Sequence, residues 1–266
     1  MNEQHSPAYS LSAEELFDYQ RDGFLLRPRV FGVDELVTLR DSVERAVSKA
    51  AALSEDGKTY HLDEKRFVDV GDMTVQFEHS PGSDIVRVIE PVHHLDPLLE
   101  ALVDDPRIVQ PMQSIIGQAR LSVWTNKLNL KRAGDGSEFG WHQDSPYWVH
   151  DCGHVDLLPN VYIAFDDASE ANGCLQVIKG SHLEGCLPGT SNGTQLGGFF
   201  TDPDCFDETQ AVLMEVPAGS MVFFNPHSVH GSSMNHSDMA RRAIIMTYQP
   251  ADFPMLKTGQ IRNTAG

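Results

Sequence analysis

The chain has 266 residues, 41% of them hydrophobic, and a formal charge of −18. That length suffices for one well-buried core and no composition break divides it, so a single domain over residues 1–266 is expected, and the acidic balance argues against nucleic acid or an anionic membrane surface as a partner. No apolar run approaches the ~18 residues that cross a bilayer, and the opening MNEQHSPAYS lacks both a basic region and an apolar core, so a cytoplasmic protein is expected.

In chain order, residues 1–118 read as largely helical. Ser12-Ala-Glu-Glu15 has the pattern of a capping box and opens a helix that ends near Asp22-Gly23. From Asp34, the expected cap of a second helix, Leu36, Leu39, Val43 and Val47 recur at three- and four-residue intervals. Between about Ala50 and Asp84 the chain is polar and poorly periodic, and an irregular segment that helps wall a pocket is expected. Helical character returns from Pro97 to Ile116, and Arg87, ahead of Val92–His94, reads either as an exposed, helix-flanking residue, the favoured reading, or as one that reaches the pocket.

After residue 120 short β-rich runs dominate: Leu121–Trp124, Lys127–Leu130, Val161–Phe165, Cys174–Ile178, Ala211–Val216, Ser220–Phe224 and Ala243–Tyr248, separated by Gly, Pro, Asn and Asp. The fold expected is mainly β with flanking helices: a double-stranded β-helix, or jelly roll, over 119–250, buttressed by the N-terminal helices. The glycine-rich excursion 183–210 interrupts the strands and reads as a lid. Asn172-Gly173 reads as a turn capped by Asp166 and Asp167. Cys152, Cys174, Cys186 and Cys205 show no CxxC pairing and are expected to be free thiols without a catalytic part.

Trp141-His142-Gln143-Asp144 carries the chemistry. In an extended segment side chains two apart share a face, so His142 and Asp144 are suited to grip one metal ion, with a third ligand from a distant strand. Two histidines and one carboxylate on one face of an octahedron are the donor set of non-haem Fe(II), with positions left open for a co-substrate and dioxygen. His227, His230 and His236 all follow the run Ser220–Phe224, and on the residues alone the third ligand is open among them. Trp141, Tyr147 and Trp148 read equally as an apolar substrate wall and as core.

Taken with Asp22-Gly-Phe-Leu-Leu26, Asn172-Gly-Cys-Leu-Gln-Val-Ile-Lys-Gly-Ser-His182, Pro226-His-Ser-Val-His-Gly-Ser-Ser-Met-Asn235 and Arg241-Arg242, these blocks resemble in order and spacing the phytanoyl-CoA dioxygenase family of Fe(II)/2-oxoglutarate-dependent oxygenases. The resemblance runs from Asp22 to Tyr248. It implies that the third ligand is His230, which precedes Gly231-Ser232 and lies eleven residues before Arg241. It also implies that Arg241 clamps the distal carboxylate of 2-oxoglutarate, a task suited to a planar guanidinium. Strand alternation then turns Arg242 the other way. Ser232, Tyr162, Lys127 and His182 occupy positions where the family contacts the co-substrate or lines its pocket; Tyr162 stands where a tryptophan is common.

Related halogenases replace the carboxylate ligand with a small residue, so Asp144 favours hydroxylation. The activity implied is oxidation of a C–H bond of a small molecule, using Fe(II), 2-oxoglutarate and O2 and releasing succinate and CO2. Without a dense Lys/Arg cluster, a coenzyme A thioester is a disfavoured substrate. The competing readings are a metal-binding β-roll without catalysis, which has no need of a buried carboxylate clamp, and a metal-dependent hydrolase, which needs a general base beyond the ligands.

Overall fold

The computed structural model describes residues 8–265. Helix α1 (Ala13–Asp22) opens on the expected capping box: the Ser12 hydroxyl accepts from the Glu15 amide and the Glu15 carboxylate accepts from the Ser12 amide. It closes on Gly23, whose left-handed φ of 83° an L side chain rarely adopts. Strand β1 (Phe24–Arg27) follows, and then α2 (Val33–Ser54). The second helix begins one residue before the expected Asp34 cap, because the Glu35 carboxylate reaches back to the Gly32 amide at 2.8 Å and caps the helix from inside.

The polar stretch after α2, expected to be irregular within a largely helical N-terminal third, is instead four strands, and it does line the cavity described below, as expected. It forms β2 (Lys58–Leu62), β3 (Lys65–Val70), β4 (Met73–Phe77) and β5 (Val86–Glu90). Helices α3 (Pro97–Leu102) and α4 (Pro106–Ile116) come next, each with an aspartate cap and proline in its first turn. Then follow β6 (Leu121–Lys131), β7 (Phe139–His142), the short α5 (Ser145–Trp148), β8 (Asn160–Ala164), β9 (Gln176–Ile178), β10 (Ala211–Leu213), β11 (Met221–Phe224), β12 (His230–Ser232) and β13 (Arg241–Pro250).

The strands form two antiparallel sheets. The larger has the order β1-β11-β8-β13-β6-β5-β4-β3-β2 and the smaller β10-β9-β12-β7, giving a mainly β jelly roll with helices packed outside it. One register row explains how the large sheet holds its helices. Val68, Val75, Ile89, Leu128, Ile244 and Ile163 are successive cross-strand partners, all buried, and belong to the core that contains Leu39, Val43 and Ala46 of α2. Each such side chain contributes about 1.5–3 kcal/mol when fully buried. Because side chains alternate, the neighbouring positions on these strands face the smaller sheet, where Tyr162, Ile245, Val177 and Phe224 form a second core. The front of the large sheet therefore divides between this inter-sheet core and an open cavity beside it. No helix among the described residues is long and apolar enough to cross a membrane.

The segment 183–210 contains three short 3-10 turns. Its middle is fastened at both edges. The Thr201 amide donates to the Trp141 carbonyl at 2.9 Å, and the Asp63 carboxylate, at the tip of the β2–β3 hairpin, accepts from the amides of Gln195 and Leu196 at 2.8 and 2.6 Å. Asp166 and Asp167 do not cap the Asn172 turn as expected. Asp166 pairs with Arg242 and Asp167 accepts from the Ala218 amide, while the Asn172 side chain closes the turn itself, accepting from Ser169 and donating to the Asp167 carbonyl. The four cysteines are free thiols.

Candidate active site

His142 and His230 face each other across the β7–β12 pair, directly in register, with ring centroids 4.2 Å apart. Each ring donates its Nδ1 proton to a backbone carbonyl, His142 to Gly140 at 2.7 Å and His230 to Ser228 at 2.9 Å. This fixes the tautomer and leaves each Nε2 with a free lone pair. β7 ends at His142 and Asp144 opens α5, so a strand end and a helix start, rather than a continuous strand, carry the two side chains. The amides of Asp144 and Ser145 both donate to the Pro226 carbonyl, which ties the start of α5 to the segment leading into His230.

One donor atom from each of His142, Asp144 and His230 lies within 4.8 Å of the others, a spacing that fits one metal ion, and His230 Nε2 stands 3.8 Å from Asp144 Oδ2. Both imidazoles are held neutral by burial, with His230 a further cause at His142, which is pushed down to about 3. Burial pushes the Asp144 carboxyl up, but the Lys127 ammonium, by its charge and its hydrogen bond, is the foremost of the causes that hold the group below the usual carboxylate range. All three are thus in the protonation state that metal binding requires. Asn160 supports the carboxylate, donating to Asp144 Oδ2 at 2.9 Å while Thr247 donates to the Asn160 amide oxygen at 2.6 Å.

The donors open into a cavity of about 800 Å³, within the ~300–1,000 Å³ of clefts that hold drug-sized ligands. Arg241, Ser232, Tyr162 and Lys127 line it. Arg241 begins β13 and is 2% exposed; it donates to the Tyr162 hydroxyl at 3.0 Å, and its Nε has no partner among the described residues. Lys127 Nζ lies 3.5 Å from Asp144 Oδ1, on the metal side of the cavity. His182 does not reach it. Its ring packs on Gly23, where a Cβ would collide with the imidazole, and its Nε2 lies 2.9 Å from the Gln20 carbonyl. The turn Ser181–Glu184 carries it away from the sheet interior toward α1, which corrects the expectation that it borders the co-substrate.

Of the two readings of Arg87, the favoured surface one fails and the other holds: it is 4% exposed on β5 and lines the cavity. It donates to the Glu138 carbonyl at 2.6 Å and lies 2.7 Å from His79 Nε2, while its Nε, like the Asn129 side-chain oxygen, is unpartnered among the described residues. The alternation in Val86-Arg-Val-Ile89 is the sequence signal for a strand that would have placed it. Lys131, opposite Arg241 on β6, is fully buried, and its amine donates to the carbonyls of Ser232 and Ser233. Burial, with help from Arg241 and Arg87, pushes that amine down to about 6, so at neutral pH it adds little repulsion to the two guanidinia.

Gln143, between His142 and Asp144, points away from them and is fully buried. It donates to the carbonyls of Gly185 and His227 and accepts from the Leu187 amide, joining the His142–Asp144 segment to the start of segment 183–210. His227 is occupied elsewhere, with its ring nitrogens 2.8 Å from Ser145 Oγ and Asp156 Oδ1. Of the three aromatics left open by the sequence, Trp148 is both core, 1% exposed against Trp124, and cavity wall. Trp141 and Tyr147 belong to the wall, and Tyr147 stacks on Phe199 of segment 183–210 at 4.7 Å.

Segment 183–210 rests on Tyr147 and Asp63, so if it opens as a lid the opening has a measurable signature. Limited proteolysis is expected to cut within 183–210 and to slow when Fe(II), 2-oxoglutarate and substrate are present. Asp63→Ala is expected to speed the cutting severalfold. Equal rates with and without ligands would identify the segment as a fixed wall.

Comparison with known proteins bears on this geometry. The family model for phytanoyl-CoA dioxygenase (PhyH) matches residues 19–243. The ectoine dioxygenase of Bordetella parapertussis is 30% identical over 91% of this chain and 76% of its own length, and the L-proline trans-4-hydroxylase of Streptomyces griseoviridis is 28% identical over 86% and 83%. Among solved structures, EctD from S. alaskensis with 2-oxoglutarate and 5-hydroxyectoine superimposes with a TM-score of 0.68 at 20% identity, covering 97% of this chain and 83% of that one.

Proposed function

The chain belongs to the phytanoyl-CoA dioxygenase family, and from that premise we propose that it is an Fe(II)- and 2-oxoglutarate-dependent dioxygenase that hydroxylates a C–H bond of a small organic molecule. The observation that carries the reading is one cavity holding both a two-histidine, one-carboxylate donor set and a buried guanidinium with an unused donor. The donor set suits iron, and the guanidinium suits the far carboxylate of a diacid. A metal-binding roll without a co-substrate has no use for the second feature, since an unpaired buried charge only costs stability.

In this reading His142, Asp144 and His230 hold the iron. Arg241 holds the distal carboxylate of 2-oxoglutarate, and Ser232 and Tyr162 flank it. When bound, iron and 2-oxoglutarate supply oxidising power drawn from O2, with succinate and CO2 released. The chain's own residues bind and orient. Asn160 and Lys127 steady Asp144, Lys131 props the backbone beneath Ser232, and the aromatic wall with the lid keeps water away from the oxidation. The named activities of the ectoine and proline relatives support a small-molecule substrate.

The test is to load the protein anaerobically with Fe(II), titrate 2-oxoglutarate, and then admit oxygen with candidate substrates. Saturable co-substrate binding is expected, followed by succinate in equal amount to hydroxylated product. Iron binding without any 2-oxoglutarate binding would move the protein to the metal-binding reading.

A further inference from the structure

Half of the chain's aromatic side chains border one cavity. Of 13 phenylalanines, 6 tyrosines and 3 tryptophans, eleven line it, against only five aliphatic residues, Val88, Leu175, Leu196, Ile245 and Leu256. The core behind the large sheet has the opposite balance, since valine, leucine and isoleucine fill most of it. Packing of the fold therefore does not account for the rings. Phe77, Trp148 and Tyr162 are buried, and the Arg87 guanidinium covers the Phe139 ring at 3.9 Å. Tyr60, Phe67, Trp141, Phe199, Phe200 and Phe206 stay partly exposed along the cavity.

These rings belong to two walls. On the large sheet, Asn129, Val88, Gln76, Phe67 and Tyr60 are successive cross-strand partners from β6 out to β2, and all five line the cavity. Four steps of about 4.8 Å carry this row roughly 19 Å away from Asn129. Tyr60 and Phe67 stack at its far end, with ring centroids 5.4 Å apart. On the other wall Phe199 stacks on Tyr147, Phe206 leans on Trp141 at 5.8 Å, and Phe200 packs on Gly140, where a Cβ would collide with its ring. Lys65 of β3 lies over Phe200, and Asp63 accepts from the amides of Gln195 and Leu196, so the β2–β3 hairpin and segment 183–210 meet at the far end.

The cavity, at about 800 Å³, is also larger than a small substrate needs. At about 30 Å³ for each water-sized group it holds on the order of 25 non-hydrogen atoms, of which 2-oxoglutarate takes about ten. Roughly fifteen remain, about twice the size of proline. A saturated chain would be met as well by aliphatic walls, whereas flat π-faces gain from offset and edge-on contact with other rings. We propose that the substrate is an elongated molecule carrying a flat aromatic ring system, a fused bicycle or larger. The ring system sits between the Tyr60–Phe67 stack and the phenylalanines of segment 183–210, and the carbon to be oxidised lies at the other end, by the metal donors. Strands β2 and β3 and segment 183–210 thereby set specificity.

This rests on the oxygenase reading, and the experiment separates the two. The anaerobic protein with Fe(II) and 2-oxoglutarate is dialysed to equilibrium against benzamide, 2-naphthamide and anthracene-2-carboxamide. Their shared neutral head gives the guanidinia no anion to bind, and the series adds one fused ring at a time. Decahydronaphthalene-2-carboxamide keeps the bicyclic skeleton and removes the flatness, and L-proline serves as the small ligand. The dissociation constant is expected to fall about threefold or more with each added ring, and 2-naphthamide to bind about threefold or more tighter than its saturated counterpart. Phe67→Ala and Phe200→Ala, one on each wall, are each expected to weaken anthracene-2-carboxamide about tenfold or more and benzamide less than about threefold. Their 2-oxoglutarate binding, expected within about twofold of wild type, marks an intact fold. Affinity that does not rise with ring number, a saturated amide bound as tightly as 2-naphthamide, tighter binding of L-proline than of 2-naphthamide, or a ring series unmoved in both variants overturns the proposal. Failure of the wild-type protein to bind 2-oxoglutarate anaerobically overturns the oxygenase reading instead.

Discussion

Replacing His142, Asp144 or His230 by alanine is expected to remove most of the bound iron and to lower turnover by more than a hundredfold. The reason is geometric. Three donor atoms within 4.8 Å of one another suffice for one face of an octahedron, and two donors do not hold a labile Fe(II) in a defined orientation. Asp144→Gly is expected to abolish hydroxylation as well, because loss of the carboxylate opens a coordination position without building a halide pocket around it. Asn160→Ala, which removes the donor to Asp144 Oδ2, is expected to have a smaller effect, within the ~10–100-fold range of residues that support a ligand. Iron content by elemental analysis and succinate formation read both effects. Full iron and full turnover in His230→Ala would displace the third ligand, and His227, already engaged by Ser145 and Asp156, would then have to leave those partners.

Arg241→Ala is expected to raise the apparent constant for 2-oxoglutarate about thirtyfold or more, equivalent to roughly 2–5 kcal/mol for a truncated buried charge pair. The guanidinium is 2% exposed, so the stranded carboxylate would gain little solvation from water to offset the lost contact. Iron affinity should change far less. Arg242→Ala is the internal control. Its side chain leaves the opposite face of β13 to donate two hydrogen bonds to Asp166, both at 2.8 Å, and a third to Glu44 on α2. That variant is expected to lose about 1–2 kcal/mol of stability and to keep its 2-oxoglutarate constant within about twofold. Anaerobic titration followed by the weak metal-to-ligand absorption, alongside thermal unfolding, separates the two arginines. Loss of co-substrate binding in Arg242→Ala alone would reverse their assignment, and loss in neither would remove the clamp from this end of the cavity.

The sequence by itself determined the parts of this protein that depend on local spacing. The Ser12 capping box, the apolar stripe of α2 and the opposite facing of Arg241 and Arg242 follow from local patterns and are found as expected, while the strand runs after residue 120 all fall in strands, although Leu121–Trp124 and Lys127–Leu130 join into β6, the strands at 176–178 and 211–213 are shorter than their runs, and β7 and β12 were not among them. The grouping of His142, Asp144 and His230 was legible as well, through the order and spacing of blocks along the chain.

The tertiary structure alone decided what depends on partners remote in sequence. The polar stretch 58–77 is strand because its inner neighbours complete a sheet whose back is covered by α2, and no local signal announces that cover. Arg87 is buried because β5 enters that sheet, although an isolated arginine prefers water. His182 leaves the cavity because a 3-10 turn docks it on Gly23, and Phe67 and Phe200 line one cavity only because the β2–β3 hairpin meets segment 183–210 at Asp63. Periodicity fixes which way a side chain faces, but burial, pairing and charge environment are properties of the assembled sheets.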